Sequence, residues 1–159
     1  MSSALKQLLL IGFIWLTTAH SVHAQHREDA NASNQAITEA QTTSYCEVLK
    51  DPERFRNRMI RVRALYQTDF EESIITAPSC YTPLPMTWVS FDEQWESRSK
   101  RSIRHAISNV KWRIQTDVVF VGLFKADGHY GHMDRYPYSI EVYKVEAIRP
   151  SGSFRAMPE

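Results

Sequence analysis

Two histidines three positions apart, His129 and His132, are the residues of this sequence that best fit metal chemistry. They lie in a glycine-containing segment where two imidazoles could converge on one ion, and the carboxylates of Asp127 and Asp134 could complete the ligand shell. A zinc site needs three or four protein ligands, and the other histidine of the region that we expect to be ordered, His105, is distant in sequence. The alternative is an ordinary turn in which one imidazole hydrogen-bonds a backbone carbonyl. We therefore keep metal binding as the second hypothesis and predict no cofactor.

Four further side chains fit the binding of a ligand. Arg61 and Arg63 lie two positions apart in a predicted strand, so they project from the same face of it. The alternative for these arginines is structural, with ion pairs to the glutamates at 71–72 across a hairpin. Tyr130 and Tyr136 could stack on a sugar, a peptide or a base if they are exposed, and otherwise they belong to the core.

Signatures of catalysis are missing from the sequence. It contains no G-x-S-x-G elbow, no H-E-x-x-H helix, no Walker loop and no dinucleotide fingerprint. Nucleic-acid binding is also disfavoured, because such proteins carry a basic excess and this chain has 19 Lys and Arg residues against 18 Asp and Glu. We therefore predict neither an enzyme nor a nucleic-acid binder.

The first 24 residues have the organisation of a secretory signal peptide. Lys6 supplies the positive charge, residues 8–16 form a short apolar run, and residues 22–24 resemble a cleavage site before Gln25. The apolar run is shorter than the roughly 20 residues that span a bilayer, and no second run approaches that length. Removal of the leader would leave 135 residues with 18 basic and 18 acidic side chains, enough for one domain. We expect a soluble protein that is periplasmic or secreted.

Cys46 and Cys80 are the two cysteines of the chain. In an oxidising compartment an even number of cysteines favours an intramolecular disulfide. The alternative is a redox-active pair, but such pairs usually have C-x-x-C spacing. A bridge that closes a loop of about 34 residues would stabilise the fold by roughly 3–4 kcal/mol in the chain-entropy model.

Local patterns predict the elements that must position these residues. Residues 25–42 are polar and lack aromatic side chains, which predicts a flexible tail. Ser44 and Glu47 have the spacing of a capping box, so a short helix begins there. Beyond it the apolar period changes to two, as in half-buried strands. Strands are expected at residues 59–66, 73–76, 86–91, 118–124 and 138–148, with an amphipathic helix within 92–113.

This order predicts one mainly β domain over residues 43–150, followed by a flexible C-terminus at 151–159. A short N-terminal helix, five short strands and a helix between the third and the fourth strand are typical of an OB-fold-like five-stranded barrel. A sandwich would need more strands. Barrels of this kind commonly bind ligands across the face of their second and third strands and the adjoining loops.

Several short motifs resemble a group of small exported bacterial proteins of uncharacterised function. Residues 46–52 are similar to the C-x-x-L helix and proline of that group, and residues 58–64 to its basic strand. Ala64 stands where that pattern prefers glycine. The acidic hairpin at 70–73, the second cysteine and the segment 131–138, similar to G-H-x-x-x-Y-P, follow in the same order. The resemblance implies an OB-like barrel and a bridge between the two cysteines, and it implies no activity.

These patterns together predict an exported, non-catalytic binding or interaction module of the cell envelope. Its partner would be an envelope protein, a peptide or a glycan. The alternative is a metal-binding protein that uses the loop of His129 and His132.

Overall fold

A computed structural model of the chain describes residues 31–77, 80, 86–112, 114–126 and 128–150. The predicted leader and the expected C-terminal tail at 151–159 lie outside these residues. The chain divides into two compact units, Met1–Thr38 and Glu39–Glu159. In the first, residues 31–38 are helical and are called α1 here. All other elements below belong to the second unit.

The second unit contains six strands, four short α-helices and one 3₁₀ turn in its described residues. The helices lie in two of the connections between strands, and the strands form most of the unit. The strands are β1 (Gln41–Ser44), β2 (Arg58–Thr68), β3 (Ser73–Thr76), β4 (Thr87–Phe91), β5 (Thr116–Lys125) and β6 (Tyr138–Pro150). The helices are α2 (Tyr45–Lys50), α3 (Pro52–Phe55), α4 (Trp95–Arg98) and α5 (Arg101–Ser108), and the 3₁₀ turn is His132–Asp134.

Five of the strands close into a barrel. The sheet order is β1-β2-β3-β4-β6-β5, and β5 pairs back onto β2. Within the barrel, β4 and β6 run parallel and the other neighbours run antiparallel. With α2 and α3 before the first barrel strand, and α4 and α5 between the third and the fourth, this confirms the predicted mainly β, OB-fold-like barrel.

Strand β1 lies outside the barrel and within the segment that the sequence predicts to be a flexible tail. It pairs parallel with the first part of β2, from Gln41 opposite Ile60 to Ser44 opposite Arg63. Its sequence, Gln-Thr-Thr-Ser, has no apolar alternation, so the strand is held by its backbone hydrogen bonds to β2 rather than by a buried face. Structure in the second unit therefore begins before the expected domain boundary at residue 43.

The barrel interior is filled by alternate residues of its strands. In β2, Ile60, Val62 and Ala64 are buried, as the period of two predicts. Strand β5 is buried on both faces over Val118–Val121, as its continuous apolar run predicts. On the outer face, Arg61 and Arg63 lie directly opposite Val121 and Val119.

The pairing of β5 with β6 is irregular. The register shifts between Val119 and Phe120 and again between Val121 and Gly122. These shifts explain why Val142 and Val145 of the last strand are both buried although they are three positions apart. A Cβ on Gly122 would lie 2.5 Å from the carbonyl oxygen of Glu141, so only glycine allows this close approach.

Helix α2 is tied to the barrel at two places. The side chain of Ser44 and that of Glu47 satisfy each other's backbone N–H groups, which confirms the predicted capping box. The phenolic oxygen of buried Tyr45 lies 2.7 Å from the hydroxyl of Thr87, and burial raises the pKa of this tyrosine. Cys46 forms a disulfide with Cys80 in the β3–β4 connection, which confirms the predicted bridge.

No helix among the described residues is both long enough and apolar enough to cross a lipid bilayer.

Candidate functional site

The β5–β6 loop folds over the outer face of the hairpin formed by β3 and β4. Ile74 and Trp88 are paired residues on that face, and the ring centroid of Trp88 lies 5.4 Å from that of Tyr136 in the loop. Tyr130 and Tyr136 exchange backbone hydrogen bonds, which closes the loop on itself. Gly131 has a φ of 71°, and a Cβ there would lie 2.3 Å from the Trp88 ring. The loop therefore covers the face on which OB-fold barrels commonly bind ligands.

Tyr136 also connects the loop to the turn between β2 and β3. Its hydroxyl donates a hydrogen bond of 2.8 Å to a carboxylate oxygen of Glu72. Burial, together with this hydrogen bond and the charge of Glu72, raises the pKa of Tyr136 to about 12. Tyr136 is thus a buried hydrogen-bond donor, and its ring is not available to stack on a ligand. Tyr130, the other predicted ligand-binding tyrosine, is half-buried.

The two histidines of the same loop contact different groups. His129 Nδ1 lies 3.3 Å from the carbonyl oxygen of Asp134, whereas His132 Nε2 lies 3.9 Å from a carboxylate oxygen of Glu71. No group of three or more His, Cys, Asp or Glu side chains is placed to hold a metal ion within the part of the chain that the structure describes. Asp127, a candidate ligand in the sequence, lies outside that part. The described residues therefore lend the metal hypothesis no support.

The two predicted ligand-binding arginines form ion pairs on the barrel wall. Arg61 Nε lies 3.0 Å from a carboxylate oxygen of Glu146, and Arg63 Nη2 lies 3.5 Å from Asp117 Oδ1. Their partners are on β6 and β5, and not on the β2–β3 hairpin that the structural alternative assumed. Lys144 also bonds Glu146 at 3.2 Å. These ion pairs link neighbouring strands on the outside of the barrel, which is a structural role for both arginines.

Two exposed aromatic rings meet at the end of the barrel where β2 ends and β5 begins. These strand ends are adjacent because Tyr66 of β2 pairs with Thr116 of β5. Phe70 lies in the β2–β3 turn and is 83% exposed, and Trp112 lies in the α5–β5 connection and is 66% exposed. Their ring centroids are 6.4 Å apart.

The two rings border a cleft of about 720 Å³. Its described lining consists of aromatic rings and carboxylates only, so we call it the aromatic–acidic cleft. The volume falls within the range of roughly 300–1,000 Å³ that is usual for small-ligand sites. The lining residues are Asp69, Phe70, Glu71, Glu72 and Trp112.

Two carboxylates of the cleft, those of Asp69 and Glu72, accept hydrogen bonds from backbone N–H groups or from a tyrosine hydroxyl. Asp69 accepts the backbone N–H groups of Glu71 and Glu72 at 3.0 and 2.8 Å, which fixes the turn. Glu72 accepts the hydroxyl of Tyr136. Glu71 is exposed and has the imidazole of His132 nearby. The cleft can therefore offer stacking surfaces together with several hydrogen-bond acceptors of negative charge.

Sequence reasoning did not single out this cleft. The sequence feature that could have indicated it is Phe70, a large aromatic residue within an otherwise polar turn of Asp and Glu residues. An apolar ring has no local structural role in such a turn. Trp112 lies in the connection that follows α5. Nothing in local spacing shows that these two residues are neighbours.

Fold and site together define a small, disulfide-bonded, OB-fold-like barrel with an aromatic–acidic cleft at one end. No protein-family model, no curated protein and no solved structure matches the chain. The resemblance to small exported bacterial proteins therefore rests on its short motifs alone, while the barrel that it implies is present.

Proposed function

We propose that the protein is an exported, non-catalytic binding or interaction module of the cell envelope, and that its ligand occupies the aromatic–acidic cleft. The observation that carries this proposal is the pair of exposed rings, Phe70 and Trp112, on two connections far apart in sequence. Large apolar side chains in contact with water cost free energy, so a pair of them beside a cleft is typical of a binding surface.

The chemistry of the cleft favours binding over catalysis. Aromatic faces provide contact area, and the carboxylates of Asp69, Glu71 and Glu72 accept hydrogen bonds from a ligand. Envelope proteins, peptides and glycans all present groups that stack on rings and donate to carboxylates. The ligand of the cleft is therefore an envelope protein, a peptide or a glycan.

Two features support export. Residues 1–24 have the charge and apolar organisation of a signal peptide. The Cys46–Cys80 disulfide suits an oxidising compartment, because cytosolic thiols are kept reduced. Fusion of residues 1–24 to an alkaline phosphatase that lacks its own leader tests this directly. Enzyme activity in intact cells is expected, and an inactive cytosolic fusion would exclude export by this segment.

Calorimetric titration of the purified, oxidised protein tests the site. The probes are capped pentapeptides of basic, acidic and apolar composition, together with the oligosaccharide chitotriose. We expect at least one probe to bind, and the double substitution Phe70→Ala and Trp112→Ala to weaken its binding by tenfold or more. Ile114→Ala, which removes an exposed apolar side chain outside the lining of the cleft, is the matched control and should bind normally. Absence of binding by all probes, or equal binding by the double variant, would refute the proposal.

A further inference from the structure

We infer that residues 100–111, which contain helix α5, bind the surface of a lipid bilayer that carries anionic headgroups. We call these residues the basic segment. None of its Lys or Arg side chains lines the aromatic–acidic cleft. The lipid surface is therefore a second kind of partner, beyond the ligand that the proposed function places in the cleft.

Positive charge is concentrated in this part of the chain. The whole sequence is nearly balanced, with 19 Lys and Arg residues against 18 Asp and Glu. Residues 97–112, in contrast, contain no Asp or Glu. The basic residues of that stretch are Arg98, Lys100, Arg101, Arg104 and Lys111. Such a local excess in a nearly neutral protein creates a positive surface potential that attracts an anionic partner.

The charges of the basic segment are not used for ion pairs among the described residues. Arg98, just before it, pairs with Asp92. Four basic residues form no ion pair with any carboxylate that the structure describes: Lys100, Arg101, Arg104 and Lys111. Strand β6, which α4 and α5 contact, offers them no free acid, because Glu141 pairs with Lys125 and Glu146 with Arg61.

Helix α5 directs part of this charge away from the barrel. Ile103 and Ile107, four positions apart, pack against the core. Arg101 lies on the opposite side of the helix and is exposed, and Arg104 lies at the flank and is half-buried. A helix on the outside of a barrel forms a convex surface, which a planar anionic bilayer can approach directly. Peptides and small ligands are instead held in grooves or clefts.

The start of α5 provides an independent observation. Helix α2 begins with the capping box of Ser44 and Glu47, and α3 begins with the side chain of Asp51 as its cap. Helix α5 begins with Lys100 and Arg101, has no side-chain cap and has no acidic residue in its first turn. Positive side chains are unfavourable there because the helix dipole is also positive at this end. An anionic surface would compensate both charges, and a local cost of this kind is typical of functional sites.

Co-sedimentation with lipid vesicles tests the inference. The oxidised protein is used without residues 1–24, because their apolar run would itself enter lipid; all barrel strands lie in Glu39–Glu159. We expect it to sediment with vesicles of equal parts phosphatidylglycerol and phosphatidylcholine. It should remain in solution with vesicles of phosphatidylcholine alone, and rising salt should release it from the mixed vesicles.

Substitution of the basic segment should abolish most of this binding. Arg101→Gln, Arg104→Gln and Lys111→Gln together should lower the partition coefficient about a hundredfold, since each basic residue near an anionic bilayer contributes about fivefold. The variant should melt at the wild-type temperature or above it, because loss of the Arg101 charge relieves the repulsion at the helix start. A purely structural role would instead lower the melting temperature.

A matched control removes the same amount of charge elsewhere. It combines substitutions of three exposed basic residues on other parts of the barrel: Lys50→Gln, Arg58→Gln and Arg135→Gln. This control should lower the partition coefficient by less than about fivefold, because only charges near the lipid contribute strongly. Equal losses in the two triple variants would reflect net charge alone and would overturn the inference.

Four further outcomes would also overturn the inference. The first is failure to sediment with the mixed vesicles, and the second is equal binding to both kinds of vesicle. The third is a loss of sedimentation in Phe70→Ala with Trp112→Ala but not in the α5 variant, which would place the lipid contact at the cleft. The fourth is calorimetric binding of heparin or polyglutamate without vesicle binding, which would identify a soluble polyanion. The cleft is tested separately, with its own variants and probes.

Discussion

Glu146 on β6 receives hydrogen bonds from two basic side chains, Arg61 and Lys144. Burial by itself raises the pKa of this carboxyl, but the hydrogen bonds and charges of Arg61 and Lys144 outweigh burial and lower it. A carboxyl whose pKa is lower in the folded than in the unfolded state stabilises the fold above its unfolded pKa. That contribution is lost as pH falls through the lowered pKa of the folded state.

Substitution Glu146→Gln is therefore expected to destabilise the protein by about 1 kcal/mol at neutral pH, because the partly exposed ion pairs are lost. The difference in unfolding free energy between wild type and variant should shrink as pH falls below the ordinary value of 4.5 and vanish in strong acid. Urea unfolding at a series of pH values measures it. Glu93→Gln is the control, and a gap that persists unchanged in acid would contradict this account.

The β5–β6 loop packs on the β3–β4 hairpin. The contact depends on a glycine with positive φ, Gly131, and on the packing of Tyr136 against Trp88. Met133 and Asp134 also have positive φ values of 56°, so three residues of the loop have a positive φ. Such strain persists only because the packed tyrosine and its bond to Glu72 hold the loop in place.

Gly131→Ala should release this loop from the hairpin. Alanine at a φ of 71° is strained, and its Cβ would meet the Trp88 and Tyr136 rings, so a loss of about 1–3 kcal/mol in unfolding free energy is expected. Thermal unfolding and the near-UV circular dichroism of the aromatic side chains measure the effect. His129→Ala, at an exposed position of the same loop, should change either signal little. An unaltered melting temperature and spectrum in Gly131→Ala would show that the loop is not docked as described.

At the scale of the whole molecule, closure of the barrel and the disulfide both link parts of the chain that are distant in sequence. The β2–β5 pairing joins the first barrel strand to the fourth, so it brings residues that are distant in sequence into contact. The Cys46–Cys80 bridge links α2 to the β3–β4 connection across 34 positions. By restricting the unfolded chain, it favours the folded state without adding to the core.

Replacing both cysteines, Cys46→Ala with Cys80→Ala, should lower the unfolding free energy by roughly 3–4 kcal/mol. Urea unfolding of the oxidised wild type and the double variant measures the difference. Reduced wild-type protein serves as the control and should unfold close to the variant. A loss below about 1 kcal/mol would show that the bridge does not restrict the unfolded chain as the entropy model requires.

Local pattern was enough to predict the barrel strands, and the number of cysteines was enough to predict the disulfide. Alternating apolar residues such as Ile60 and Val62 specify an inward strand face, and the Ser44–Glu47 spacing specifies a helix start, because both depend on neighbours two to four positions away. Strand β1 escaped prediction because its residues are polar and show no alternation of buried and exposed apolar side chains.

The candidate site, in contrast, was decided by tertiary structure. Phe70 and Trp112 become neighbours only because barrel closure brings the end of β2 beside the start of β5. In the same way, Tyr136 is removed from solvent because its loop crosses the β3–β4 hairpin and reaches Glu72. The sequence by itself determined the five barrel strands, the bridge and the fold class, since these follow from short-range periodicity and cysteine count. Which side chains meet at a surface depends on long-range closure, and short-range patterns carry no information about it.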